Sequence, residues 1–173
     1  MATPAENQQL VMDMASACGI DPTVAFHQIH RESGFNDRAV GGAGERGLAQ
    51  FTAGTWARFG SGSFDNAFIP TYAMSAYCNY MSYLLGLFAG DYSKALTGYN
   101  GGEGHLTDPG RFGPPSAAAL AYAREILAQA GAGAFPALGP NTGAPGASGL
   151  GGVSTTVIVL ALLGLGAVFF LRD

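Results

Sequence analysis

The chain has 173 residues, a formal net charge of -4 and a single lysine, Lys94. That length buries a core without help from disulfides or metal, and the acidic balance excludes a nucleic-acid partner recruited by a basic surface. Residues 1–9 carry neither a basic n-region nor an apolar h-region, so no secretory signal is expected there. The segment Thr3-Pro4-Ala5-Glu6 combines a capping box with proline at the first helical position. Leu10, Val11, Met14, Ala15 and Cys18 then share one helical face, and Gly19 can end the helix. Asp21-Pro22 opens a second helix by the same logic, through Val24, Phe26 and Ile29 to about Glu32. The Gly-rich residues 41–47 predict a loop. A short helix is expected at 52–59 and a longer one at 71–88, with Gly90-Asp91 as its exit turn. Asp91 caps a further short helix reaching Tyr99, and residues 116–130 predict a final amphipathic helix ended by Gly131. No convincing strand pattern appears outside the loop, so the expected fold class is mainly α.

Three zones follow from composition. Residues 1–130 form the helical domain. Residues 131–152 are rich in Gly, Pro, Ala and Ser and carry no charge, as a flexible tether does. Residues 153–171 are an apolar run of 19, ended by Arg172 and Asp173. At about 1.5 Å per residue such a run crosses a hydrocarbon core of about 30 Å. One C-terminal transmembrane helix is the expectation.

Cys18 and Cys78 both fall in apolar, helix-like stretches. They are read as two small buried hydrophobes, with a disulfide between them the open alternative, possible but not implied because two cysteines are no framework. His27 and His30 stand three apart on one helix, but the sequence supplies no third ligand, so they and His105 are read as structural or surface groups. No metal or cofactor is expected.

One constellation stands apart: Glu32-Ser33-Gly34-Phe35, then Ala39, Gly44, Gly47-Leu48-Ala49-Gln50 and Thr55. Downstream lies Ala95-Leu96-Thr97-Gly98-Tyr99-Asn100-Gly101-Gly102, and a fainter echo follows in Pro115, Tyr122 and Ile126. In order and spacing these resemble the motifs of the soluble lytic transglycosylase (SLT) family, which belongs with goose-type lysozymes. The resemblance spans roughly residues 15–130 and implies a lysozyme-like helical domain acting on peptidoglycan. There are departures. Gly41 stands where the family has serine, Gly44-Glu45-Arg46-Gly47 stands for its Gly-Ala-x-Gly, Ala49 replaces its Met and Ala53 its proline. These bear on subsite shape more than on the acid.

The chemistry agrees with the resemblance. Protonating a glycosidic oxygen near neutral pH needs a carboxyl whose pKa is raised, and an apolar cleft raises it. Glu32 sits at the end of an apolar helix, where the dipole also favours the neutral form. The resemblance implies Glu32 as catalytic acid, Ser33 bonding near the reacting sugar, Gln50 lining the cleft, and Tyr99 and Asn100 orienting the acid and the substrate's acetamido group. It implies a lyase in which one carboxyl serves as acid and then base, cleaving the MurNAc-GlcNAc β-1,4 bond with 1,6-anhydromuramyl ends. The alternative is a hydrolytic muramidase, which needs a second group to activate water, and Glu45 is its candidate. A non-catalytic wall-binding membrane protein is the third reading. The expected partners are peptidoglycan strands, a lipid membrane and other virion or envelope-apparatus proteins. An enzyme of this kind, anchored at its C-terminus without a signal peptide, is expected in the internal membrane of a bacteriophage virion, where it would open the host wall. The alternative location is the bacterial inner membrane, facing the periplasm.

Overall fold

The computed structural model describes residues 2–131. The expected tether, apart from Gly131, and the transmembrane helix expected at 153–171 lie outside the described residues. Among those described, no helix is long and apolar enough to cross a membrane.

The described chain is helical: α1 (Pro4–Ala17), α2 (Pro22–Ser33), α3 (Ala53–Phe59), a 3₁₀ turn (Phe64–Phe68), α4 (Pro70–Leu87), α5 (Tyr92–Gly101), two single turns α6 (Gly104–Thr107) and α7 (Pro109–Phe112), and α8 (Ala117–Ala130). The caps follow from the sequence. Thr3, Asp21, Thr52, Asp91 and Ser116 each accept a hydrogen bond from a backbone N–H of the first turn they precede. Such a bond is worth about 1 kcal/mol. Thr3 and Glu6 complete the reciprocal capping box.

The core forms where α4 meets α1 and α5, and where α8 lies against α5 and α2. Val11, Ile29, Leu48, Met81, Leu96 and Ile126 are buried in it. The contact of α5 with α8 is close because small residues face each other: a side chain at Gly101 would come within 2.9 Å of Ala119.

The cysteines correct the sequence reading. Cys18 and Cys78 are joined in a disulfide, with Cα atoms 6.1 Å apart. Packing α1 against α4 brings them within the span that a disulfide bridges, a proximity that neither local stretch encodes.

Candidate active site

Glu32 occupies the last turn of α2. Gly34 (φ 59°) ends that helix in the left-handed region, and Phe35 (φ 64°) follows in the same region. A side chain there costs of order 1–3 kcal/mol. The buried Phe35 ring packs on Phe26 at 4.9 Å, and Asn7, itself buried, donates its Nδ2 to the Phe35 carbonyl at 3.0 Å. Two successive left-handed residues turn the chain sharply away from Glu32.

The loop after this turn closes on itself through backbone bonds. Gly41 N–H donates to the Glu45 carbonyl and Gly47 N–H to the Ala39 carbonyl, both at 2.9 Å. Isolated bridges pair Arg46 with Val40 and with Phe51. Gly47 (φ 71°) is required twice over, because a Cβ would overlap the Ala67 carbonyl oxygen. Gln50 is also left-handed (φ 47°), and its Nε2 donates to the Gly47 carbonyl at 2.8 Å and to that of Ala39 at 3.3 Å. Its Oε1 lies over Gly41, 2.8 Å from where a Cβ would sit. The Glu45 carboxylate fills the rest of that space, accepting from the Ala43 N–H at 2.9 Å, and a side chain at 41 would collide with it.

Helix end and loop enclose a cleft of about 300 Å³. Glu32, Glu45, Gln50, Tyr80, Tyr99 and Asn100 line it, with Phe51, Thr52 and Thr55 among the other wall residues. Glu32, Gln50, Tyr99 and Asn100 are therefore brought together. Ser33 is not among the lining residues; its Oγ turns back to donate to the Ile29 carbonyl at 3.3 Å. Tyr99 holds the loop to α5 by donating its hydroxyl to the Ala49 carbonyl at 2.7 Å, and Tyr80 packs beside its ring at 5.0 Å. The histidines stand apart from the lining residues: His27 edges onto Phe26, His30 faces Phe35, and His105 Nδ1 lies 3.1 Å from the Gly113 carbonyl.

Glu32 is pushed up to about 7, chiefly by burial. A hydrogen bond from the Tyr122 hydroxyl and the charge of Arg31 pull the other way, while the charge of Glu45 raises it further. A carboxyl so poised exchanges its proton near neutral pH, as a general acid that must later act as base requires. Tyr122 had no assigned role in the sequence. Only its place in the faint third motif marks it, because its partner lies 90 residues away on another helix.

Comparison with known proteins accords with this geometry. Residues 9–112 match the family model described as Transglycosylase SLT domain. Peptidoglycan transglycosylase gp16 of Escherichia phage T7 is 32% identical over 110 residues, covering 61% of this chain and 8% of that protein. An inactive mutant of the lytic transglycosylase Slt of Pseudomonas aeruginosa superposes with a TM-score of 0.59 at 22% identity, over 70% of this chain and 23% of that one. The 70-kDa soluble lytic transglycosylase of Escherichia coli gives 0.60 at 21% identity over the same shares. The two structural likenesses are of fold. This chain spans under a tenth of the phage relative and under a quarter of either solved chain.

Proposed function

The chain belongs to the transglycosylase SLT domain family, and from that premise we propose that residues 2–131 form a peptidoglycan lytic transglycosylase. It cleaves the MurNAc-GlcNAc β-1,4 bond. The observation that carries this reading is Glu32, half-buried in the cleft and raised to about 7. In the first half-reaction Glu32 gives its proton to the glycosidic oxygen, and the bond from the anomeric carbon to that oxygen breaks. In the second, the substrate's own C6 hydroxyl bonds to the anomeric carbon and its proton returns to Glu32. The Tyr122 hydroxyl bonds the carboxylate that exists between the two steps. Tyr99 and Asn100 hold the loop wall and the substrate in register. No water is consumed, so the product carries a 1,6-anhydro ring. Mass analysis of sacculi digested by the protein tests this: the expected muropeptides are one water lighter than hydrolysis products at the same cut. Predominantly reducing-end products would sink it.

Glu45 supports a second reading. It lines the same cleft as Glu32 and its charge acts on Glu32, so it is placed to activate water in a muramidase. The same mass analysis decides between the two.

We further propose that the apolar run at 153–171 anchors the domain to a membrane, in a virion or facing the periplasm. Composition supports the anchor, the Cys18–Cys78 disulfide supports an oxidising setting, and the phage relative supports a role in opening the wall during infection. The full chain should partition with lipid vesicles, whereas a chain ending at Ala130 should stay in the aqueous phase. A full chain that remained soluble and monomeric without lipid or detergent would count against the anchor.

A further inference from the structure

Gly41 needs no left-handed backbone, unlike Gly44 and Gly47 of the same loop. The reason for a glycine there lies over its α-carbon. A Cβ at 41 would run into Glu45 Oε2 and come within 2.8 Å of Gln50 Oε1. A carboxylate oxygen and an amide oxygen therefore stand side by side, and both residues line the cleft together with Glu32.

This part of the wall accepts and does not donate. Gln50 gives its amide protons to the Gly47 carbonyl at 2.8 Å and the Ala39 carbonyl at 3.3 Å, which fixes the amide with its oxygen over Gly41. Glu45 Oε2 takes the Ala43 N–H at 2.9 Å, one bond for a group with about four lone-pair sites. No cation of the protein neutralises it. Among the described residues the ion pairs join Arg31 to Glu125, Arg46 to Asp65, Arg58 to Glu103 and Lys94 to Asp91. Arg46, its neighbour in sequence, thus turns to Asp65. No lysine, arginine or histidine stands among the described residues that line the cleft. Glu45 is half-buried, and a carboxylate partly withdrawn from water gains from a partner of opposite charge.

The groups that could meet such a wall differ in what they bring. A sugar hydroxyl or an N-acetyl N–H brings one proton, and the acetyl group also sets its own carbonyl against two acceptors. A primary ammonium brings three protons, no acceptor and a full positive charge. Peptidoglycan can carry primary amines in two places: on a ring whose 2-amino group lacks its acetyl, and on the diamino acid of the stem peptide. We propose that Glu45 and Gln50, seated over Gly41, form a binding site for a primary ammonium of the peptidoglycan, so that the cleft favours strands carrying a free amine. The inference rests on the cleft taking peptidoglycan, and it gives Glu45 a part in substrate selection in place of water activation.

The test measures binding in the full chain, held in detergent micelles at about pH 6, where primary amines are protonated. Glu32→Gln is the common background, so that no probe is consumed and the charge of Glu45 is read alone. Two pairs of probes separate the sources of the amine. One sets the tetramer of glucosamine against that of N-acetylglucosamine. The other sets a muramyl tripeptide with its diamino-acid side-chain amine free against the same peptide with that amine acetylated. The free-amine member of a pair should bind about tenfold tighter than its acetylated partner, and the pair that shows this names the source. Adding Glu45→Gln keeps an acceptor for the Ala43 N–H but removes the charge, and should bring the ratio near one. Should that variant fail to fold, Gly41→Ala, which drives the carboxylate from its seat while leaving its charge, is read in its stead with the same expectation. No preference in either pair, or a preference that survives the substitution, overturns the proposal. If the preference holds but the wild type releases no muropeptides from sacculi, the ammonium site stands and the enzymatic reading falls. Release of muropeptides without the preference leaves the enzyme and removes the site.

Discussion

Two regions meet at the cleft, and they are held by different means. The end of α2 and its neighbours α4 and α8 form a frame of buried side chains, in which the Tyr122 hydroxyl holds Glu32 and the Tyr77 hydroxyl holds Gln28. The loop at 39–51 is held by its backbone: glycines at 41 and 47, left-handed Gln50, and carbonyls at Ala39 and Gly47 that take up the Gln50 amide. The frame sets a proton affinity; the loop sets a shape. Changes in the frame should therefore register in pH dependence and rate, and changes in the loop in stability and product pattern.

The largest effect belongs to the frame. Glu32→Gln should lower sacculus clearance by roughly 10²–10⁴, the range expected for a general acid, and residual activity within a few-fold of wild type would remove Glu32 from its role. The same variant should be more stable than wild type at high pH. Below an unfolded pKa of about 4.5 the glutamate is neutral in both states and costs nothing. Between there and about 7 the unfolded chain ionises while the folded one does not, so wild-type stability falls as pH rises. Gln escapes that loss, which reaches up to about 3 kcal/mol above pH 7. Denaturation of both proteins at pH 4 and pH 8 checks the sign. The wild-type kcat/KM should likewise fall as pH rises through about 7.

Cutting the tie between α1 and α4 should act on stability. The Cys18–Cys78 bridge spans 60 residues, which corresponds to about 4 kcal/mol of loop-closure entropy. Cys18→Ser/Cys78→Ser should lower the denaturation midpoint accordingly while leaving the pH profile unmoved. A shifted profile would show that the frame is not independent of that tie. In the loop, Gly47→Ala must both adopt a positive φ and push against the Ala67 carbonyl. A loss of about 2–3 kcal/mol is expected, read as a lower midpoint.

Tyr99 crosses between the regions. Tyr99→Phe leaves the Ala49 carbonyl without its hydroxyl partner, for about 1–3 kcal/mol, and should weaken activity less than Glu32→Gln because position is lost and the proton is not. The smallest effect should be that of Glu45→Ala. In a lyase this carboxylate is a wall, and clearance should change by less than about tenfold. A fall of 10²–10⁴ would mark it as a catalytic base.

Much of the frame was legible because helix punctuation is local. Thr3, Asp21, Thr52, Asp91 and Ser116 announce helices that the structure contains, each within a residue or two. The 3₁₀ turn at Phe64–Phe68 and the single turns at Gly104–Thr107 and Pro109–Phe112 were not read, since four or five residues are too few to show a period. At the site, Glu32, Gln50, Tyr99 and Asn100 carry motif signals and share the cleft, while Ser33, drawn from the same motif, bonds back to its own helix. Gln28 looks like a polar interruption of an apolar face, and Tyr122 like one more core aromatic. Their meaning lies in contacts with residues 49 and 90 positions away. The cysteine pair was hidden for the same reason, at a separation of 60.

Gly41 and Glu45 share one small volume: the carboxylate lies where any side chain at 41 would begin. The two positions are therefore not free to vary separately. A side chain can return to 41 only after Glu45 is shortened or turned out, and a carboxylate can settle at 45 only over a glycine. A library randomised at both sites should yield active pairs that are anticorrelated in size, and the path that brings a second acid to the cleft must pass through the loss of a side chain before the gain of a charge.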